Sequence, residues 1–131
     1  NVFIDTPPAL NFYTRSALIA ANHCIIPFDC DVFSKQALYS LLDTVAEVKA
    51  DHNPELNIEG IVVNQFQSRA NLPAQLVDEL IADKLKLFKT KISPSVKIRE
   101  SHSACQPMIA YAPTHKVTEE FKRLYQELQK K

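Results

Sequence analysis

Glycine is almost missing from this chain: Gly60 is the one glycine in 131 residues. A phosphate-binding loop needs glycines where backbone closes on an anion, so the chain holds no glycine-rich loop. A charge imbalance is missing too. Lysine plus arginine and aspartate plus glutamate each number 15. Net charge therefore points to no partner, and any electrostatic function must come from local clustering. No stretch approaches the roughly 18 apolar residues of a membrane span, and the start does not resemble a signal peptide. The cysteines, Cys24, Cys30 and Cys105, are odd in number and lack short repeated spacings. That excludes a disulfide framework and fits reduced thiols in a cytoplasm. His23, His52, His102 and His115 are scattered rather than paired as zinc ligands would be. Repeats, linkers and low-complexity segments are also absent.

What is present suits one α/β domain: 46% of residues are apolar. Short apolar runs at Val2–Asp5, His23–Phe28, Ile58–Phe66 and Leu87–Ile92 read as strands of a parallel sheet. Between and after them, helices are expected over Thr14–Ala21, Phe33–Lys49, Leu72–Leu85 and Thr114–Gln129. In the second of these, Leu38, Leu41, Leu42 and Val45 recur at helical spacing. In the third, Asn71 is the expected N-cap, with Pro73 in the first turn. The last helix places Val117, Phe121, Leu124, Tyr125 and Leu128 on one face. Ser93–Pro113 reads mostly as loop and short turns. Alternating strands and helices imply a parallel sheet covered on both faces. The pattern opens on a strand, as the C-terminal portion of a larger domain would.

In open α/β sheets, ligands sit beyond the carboxyl ends of the strands. The opening NVFIDTPPA ends its expected strand on Asp5, which would place a carboxylate at such a crevice. A carboxylate there can hold magnesium beside phosphates, directly or through water; an Asp that merely caps a turn is the plainer alternative.

The order FIDTPPAL, IIPF, GIVVNQFQSRANL, ISPSVKIRESHSACQP and YAP, with a helix after the first and the last, resembles the ParA family of partition ATPases. These are deviant Walker A relatives of the P-loop fold, a group that includes MinD. The resemblance implies the C-terminal portion of a SIMIBI-type P-loop NTPase domain, from Walker B onward. The family's KGGxGK[ST] loop is absent. Asp5 matches the Walker B aspartate, a catalytic position supporting Mg2+ through water. Thr6, Pro7 and Pro8 match the second switch, which senses the γ-phosphate of ATP. Asn64 matches a position that hydrogen-bonds adenine, and Pro94 one that packs against the base. Without the resemblance, Asn64 reads as a strand-end amide bonding its own turn. Arg69 and Lys97 match positions that bind nonspecific DNA; a solvated, lysine-rich edge is the alternative. Glu100, Ser101, His102, Pro107, Tyr111 and Pro113 match positions read as structural. Relatives often carry glycine where Cys105 stands, and usually one near Asp83-Lys84. If the glycine near Asp83-Lys84 serves a left-handed helix end, this sequence has adapted there or is locally strained.

The resemblance further implies ATP-dependent homodimerisation, a ParB-like centromere-binding partner that stimulates hydrolysis, and a cytoplasmic, nucleoid-associated role in plasmid or chromosome partition. The segment alone is expected not to turn over. The alternatives are a MinD-like division-site ATPase, a non-catalytic DNA- or partner-binding remnant, and a relative of cobyrinic acid diamide synthase. A MinD-like protein would end in a membrane-targeting helix. Here the apolar face of FKRLYQELQKK is expected to serve the core, so no membrane partner is expected. An unpaired sheet edge where upstream strands belong predicts a dimer or swapped assembly.

Overall fold

The protein is described by a computed structural model covering residues 2–7 and 9–129. The elements in order are α1 (Phe12–Ala20), β1 (His23–Asp29), α2 (Val32–Asp51), β2 (Asn57–Asn64), α3 (Asn71–Ala82), α4 (Val96–Ser103), α5 (Met108–Tyr111) and α6 (Lys116–Gln129). Strands β1 and β2 are parallel and in register from His23↔Asn57 to Asp29↔Asn64, with a bulge between Cys24 and Ile25. The long helix α2 makes the crossover that a parallel pair requires. It starts at Asp31, whose carboxylate accepts the Ser34 backbone N–H at 2.8 Å.

A third segment runs along the other side of β2. Ile61 donates its N–H to the Lys86 carbonyl at 2.8 Å and accepts that of Phe88 at 2.9 Å, and Ile92 donates to Val63 at 2.9 Å. From Phe88 to Ile92 the chain thus takes four steps where β2 takes two from Ile61 to Val63. The expected strand Leu87–Ile92 is accordingly reduced to a parallel bridge at Leu87 and a second hydrogen-bonded contact at Ile92. The extra residues bulge out and leave backbone donors without a ladder partner. Helix α6 supplies one. The Glu127 carboxylate accepts the N–H of Lys89 at 2.7 Å and of Thr90 at 3.1 Å. Two turns earlier on the same helix, Glu120 accepts both the N–H and the hydroxyl of Ser93 at 2.8 Å.

Side chains alternate across β2. Ile61 faces a cluster with Ile26 and Phe28 of β1, Leu38 of α2 and Leu80 of α3. Val62 faces the opposite cluster of Phe88, Ile92 and Val117, with Ile98, Met108, Leu124 and Leu128 packed against it. Helices therefore cover both faces at β2, as the alternating pattern implies. Gly60 makes room on the second face. A Cβ there would lie 2.8 Å from the Phe88 ring, inside contact distance. The sole glycine of the sequence thus serves packing rather than an anion.

The first expected strand does not form. Val2–Asp5 lies in no strand, and Val2, Phe3 and Ile4 are 91%, 78% and 54% exposed. A strand exists through its ladder, and among the described residues this segment pairs with none. The expectation that Asp5 ends a buried strand is overturned with it. The loop expected over Ser93–Pro113 contains α4 and α5. Ser95 caps α4 by accepting the Lys97 N–H at 3.1 Å. At α3 the cap residue is Ala70, without a side-chain bond, and the expected cap Asn71 is already helical.

Both suspected glycine positions are left-handed. Lys84 has φ 59° and Cys105 φ 50°. At the end of α3, Lys84 donates to Ile81 and Leu85 to Leu80; at the end of α4, Cys105 donates to His102 and Gln106 to Ser101. These paired bonds are the Schellman pattern, which glycine favours because it carries no Cβ.

Candidate site at the carboxyl ends of the strands

The parallel register brings Asp29 and Asn64 side by side as the last pair of the ladder. The Asn64 side-chain amide donates to Asp29 Oδ1 at 2.8 Å. Both chains turn away at once. Asp31 N–H closes a tight turn onto the Asp29 carbonyl at 2.8 Å, and Gln65 adopts a positive φ of 54°. The strand-end pair is therefore left at the mouth of the sheet. Beside it, Phe66 donates its N–H to the Ile92 carbonyl at 2.9 Å, which holds the exit of β2 against the segment leading to Pro94. A shallow cavity of about 240 Å³ opens there, lined by Gln65, Pro94, Ser95, Val96, Ile98 and Arg99. Pro94 thus lines this cavity, and Asn64 immediately precedes its Gln65 wall.

Asp5 and Thr6 are exposed, and among the described residues the Asp5 carboxylate makes no hydrogen bond or ion pair. Pro7 belongs to the same irregular stretch, whereas Pro8 lies outside the described residues. The stretch is tethered to α1 by Thr14, a buried residue whose hydroxyl donates to the Ala9 carbonyl at 2.7 Å. Asn11 caps that helix by accepting from Tyr13 and Thr14 at 3.0 and 3.2 Å.

The two cations expected on neighbouring loops have different settings. Arg69 is exposed in the turn before α3. Lys97 lies in the first turn of α4, with its Nζ 2.7 Å from Glu100 Oε2 and 5.9 Å from the centre of the Tyr111 ring. The bond to Glu100 raises the Lys97 ammonium above its usual range, and the same bond holds the Glu100 carboxyl below its own. Tyr111 also donates to Glu100 at 3.3 Å. Glu100 and Tyr111 thus hold Lys97 in place. Ser101 is buried and donates to the Ile98 carbonyl at 2.8 Å.

The thiols stay free. Burial raises Cys24, and burial also raises Cys30 against an opposing pull from the Lys91 charge. Lys91 itself lies 4.1 Å over the Phe66 ring.

Asp29 is absent from the expectations drawn from the sequence. Its signal was its spacing: it follows IIPF as Asn64 follows IVV, at the end of the neighbouring strand. The residues fit a nucleotide in part. Asn64 presents an amide and Pro94 an apolar ring at this mouth, and the exposed Asp5 presents a single carboxylate. Among the described residues, no group of three or more His, Cys, Asp or Glu side chains converges on a metal position.

The fold has solved counterparts. Cobyrinic acid a,c-diamide synthase from Mycobacterium smegmatis with bound ADP and magnesium superposes with a TM-score of 0.61 at 25% identity, over 93% of this chain and 46% of that one. The same enzyme with a bound ATP analogue and magnesium gives 0.55 at 26% identity, over 70% of this chain and 36% of that one. The architecture is accordingly that of the C-terminal portion of a P-loop NTPase domain of the SIMIBI type. The sequence places it more closely. A family profile described as an AAA domain matches residues 1–58. The chromosome partitioning protein ParA of Myxococcus xanthus is 35% identical over 131 residues, 99% of this chain and 46% of its own length. The sporulation initiation inhibitor protein Soj of Bacillus subtilis is 33% identical over 130 residues, 97% of this chain and 51% of its own length. The chain is a segment of the ParA family, spanning about half the length of these relatives.

Proposed function

We propose that this chain is a single partial domain, the half of a ParA-type partition ATPase that runs from Walker B onward. The observation that carries this reading is the match to proteins named ParA and Soj along 97–99% of the chain. Support from the site is local. Pro94 lines a cavity at the carboxyl ends of the strands, where α/β sheets take ligands, and Asn64 immediately precedes its Gln65 wall. In this reading Asn64 and Pro94 hold the base of ATP. Asp5 supports Mg2+ through water, and Thr6, Pro7 and Pro8 respond to the γ-phosphate. Bound magnesium would neutralise charge developing on the phosphates. Arg69 and Lys97 meet DNA phosphates without reading sequence. The whole protein would dimerise on ATP, bind nonspecific DNA and release it when a ParB-like partner stimulates hydrolysis.

Among the described residues, no helix is long and apolar enough to cross a membrane. One observation favours a second, MinD-like reading: Phe121 and Tyr125 on α6 remain 43% and 60% exposed. The face expected to serve the core is thus only partly covered, and binding of the intact protein to anionic vesicles would favour this reading.

The test of the main reading has two arms. Incubated with ATP and magnesium, the isolated chain should release no phosphate above blank, because it lacks the loop that cradles the phosphates. Turnover would overturn the placing of that loop outside these residues. In the intact protein, Arg69→Ala with Lys97→Ala should weaken binding to any DNA sequence alike and lower the salt slope by roughly 1 per cation. Unchanged binding would remove the pair from the DNA surface.

A further inference from the structure

We propose that Asp29 is a positioning residue that sets the choice of base at this site, by fixing which way the Asn64 amide faces. The proposal rests on the reading of Asn64 as a base contact. An asparagine amide has a donor end and an acceptor end, and in isolation it can turn by half a revolution at little cost. Asparagine alone therefore offers either pattern to a base. Here it is not alone. The register makes Asp29 its direct cross-strand neighbour, and strands lie about 4.8 Å apart. The Asn64 nitrogen donates to Asp29 Oδ1 at 2.8 Å. A carboxylate accepts and has no proton to give, so turning the amide over would set oxygen against oxygen. One N–H is thereby committed to Asp29, and the amide is held in one orientation, with its carbonyl oxygen and its second N–H presented to a ligand in a fixed order.

The consequence is chemical. With its carbonyl presented, Asn64 favours a donor edge. The 6-amino group of adenine is such a donor, and the 6-oxo group of guanine is an acceptor that would face it unfavourably. The second oxygen of Asp29 is another acceptor, so the pair as a whole repels an oxo group. The turns at Asp31 and Gln65 that follow leave both side chains at the mouth of the sheet rather than in its core. The constraint therefore costs little in folding and acts on what binds.

The experiment compares ATP and GTP dissociation constants of the intact protein with its Asp29→Asn, Asp29→Leu and Asn64→Ala variants, alongside thermal melts. Asn64→Ala should weaken ATP at least threefold. The unmodified protein should prefer ATP by at least tenfold. Asp29→Asn keeps the shape but can accept or donate, which frees Asn64 to turn; Asp29→Leu removes the constraint altogether. Either should narrow the preference to within threefold by opposite shifts, tightening GTP and weakening ATP, because the amide no longer has one fixed orientation; melting should stay nearly unchanged. A merely structural Asp29 would weaken both nucleotides together. A preference unchanged in both Asp29 variants, with Asn64→Ala still weakening ATP, overturns the role of Asp29 alone. ATP binding unaffected by Asn64→Ala overturns the base-contact reading and this proposal with it.

Discussion

Strands β1 and β2 lie side by side in one ladder, yet they live in different surroundings. Ile61 of β2 is 1% exposed and Val62, its neighbour on the opposite face, 8%. On β1, Ile26 is 2% exposed but Ile25 is 37% exposed. Helices clothe β2 on both sides, whereas β1 presents one side bare. Elsewhere in the first third of the chain, Phe3, Phe12 and Phe33 are 78%, 77% and 86% exposed. A parallel strand with one apolar face uncovered departs from the rule that such sheets are buried on both sides. The comparison teaches that this chain completes its core around β2 and leaves one face of β1, with Ile25, uncovered.

Stability measurements sharpen the contrast. Ile61→Ala should cost about 2–5 kcal/mol, because it removes buried methyl groups from a core that can only partly collapse. Ile25→Ala, the same change on the bare face, should stay within about 0.5 kcal/mol. Urea midpoints decide it; equal losses would mean that the face of β1 is covered. Gly60→Ala should cost about 1–3 kcal/mol by forcing the Phe88 ring aside. The loss should shrink when Phe88 is also made Leu, and a loss that persists in the double mutant would place the strain elsewhere.

The next prediction concerns the bulge beside β2. Burial opposes charge on Glu127, yet the backbone donors of Lys89 and Thr90 hold its pKa below the ordinary value of 4.5. A group so lowered contributes stability above its unfolded value, and that contribution is lost as pH falls through the lower folded value. Glu127→Gln should therefore cost about 1.5–3 kcal/mol at neutral pH and flatten the acid limb of the stability curve below 4.5. An unchanged acid limb would show that the carboxylate does not hold the bulge. The smallest effects are gains. Lys84→Gly and Cys105→Gly should each add up to about 1 kcal/mol, since glycine relieves the left-handed strain while loosening the unfolded chain. A loss at either position in thermal melts would mean that its side chain makes a contact outweighing the strain.

Legibility followed the physics of each element. The stripe of Leu38, Leu41, Leu42 and Val45 announced α2 because its spacing depends on the helix alone. Helix α4 went unseen because VKIRESHS is mostly polar and buries only Ser101. Leu87–Ile92 looked like a strand because its composition suits one, and composition does not reveal a register excess. Val2–Asp5 looked like a strand for the same reason, but no ladder exists for it among the described residues. Asn64 and Pro94 enter the candidate site through the family resemblance, and Asp29 enters it only through the structure. Its partner lies 35 residues away in the chain, and only pairing makes them neighbours.

By itself, the sequence determined the alternation of helices and strands, the lack of any glycine-rich phosphate loop, and the identity of the residues at each strand end. These follow from local periodicity and residue type. Tertiary structure decided which strand is covered on both faces, where Glu120 and Glu127 satisfy a broken ladder, and which way the Asn64 amide faces. Each of these depends on a partner far along the chain, and no local pattern encodes the register that brings the partners together.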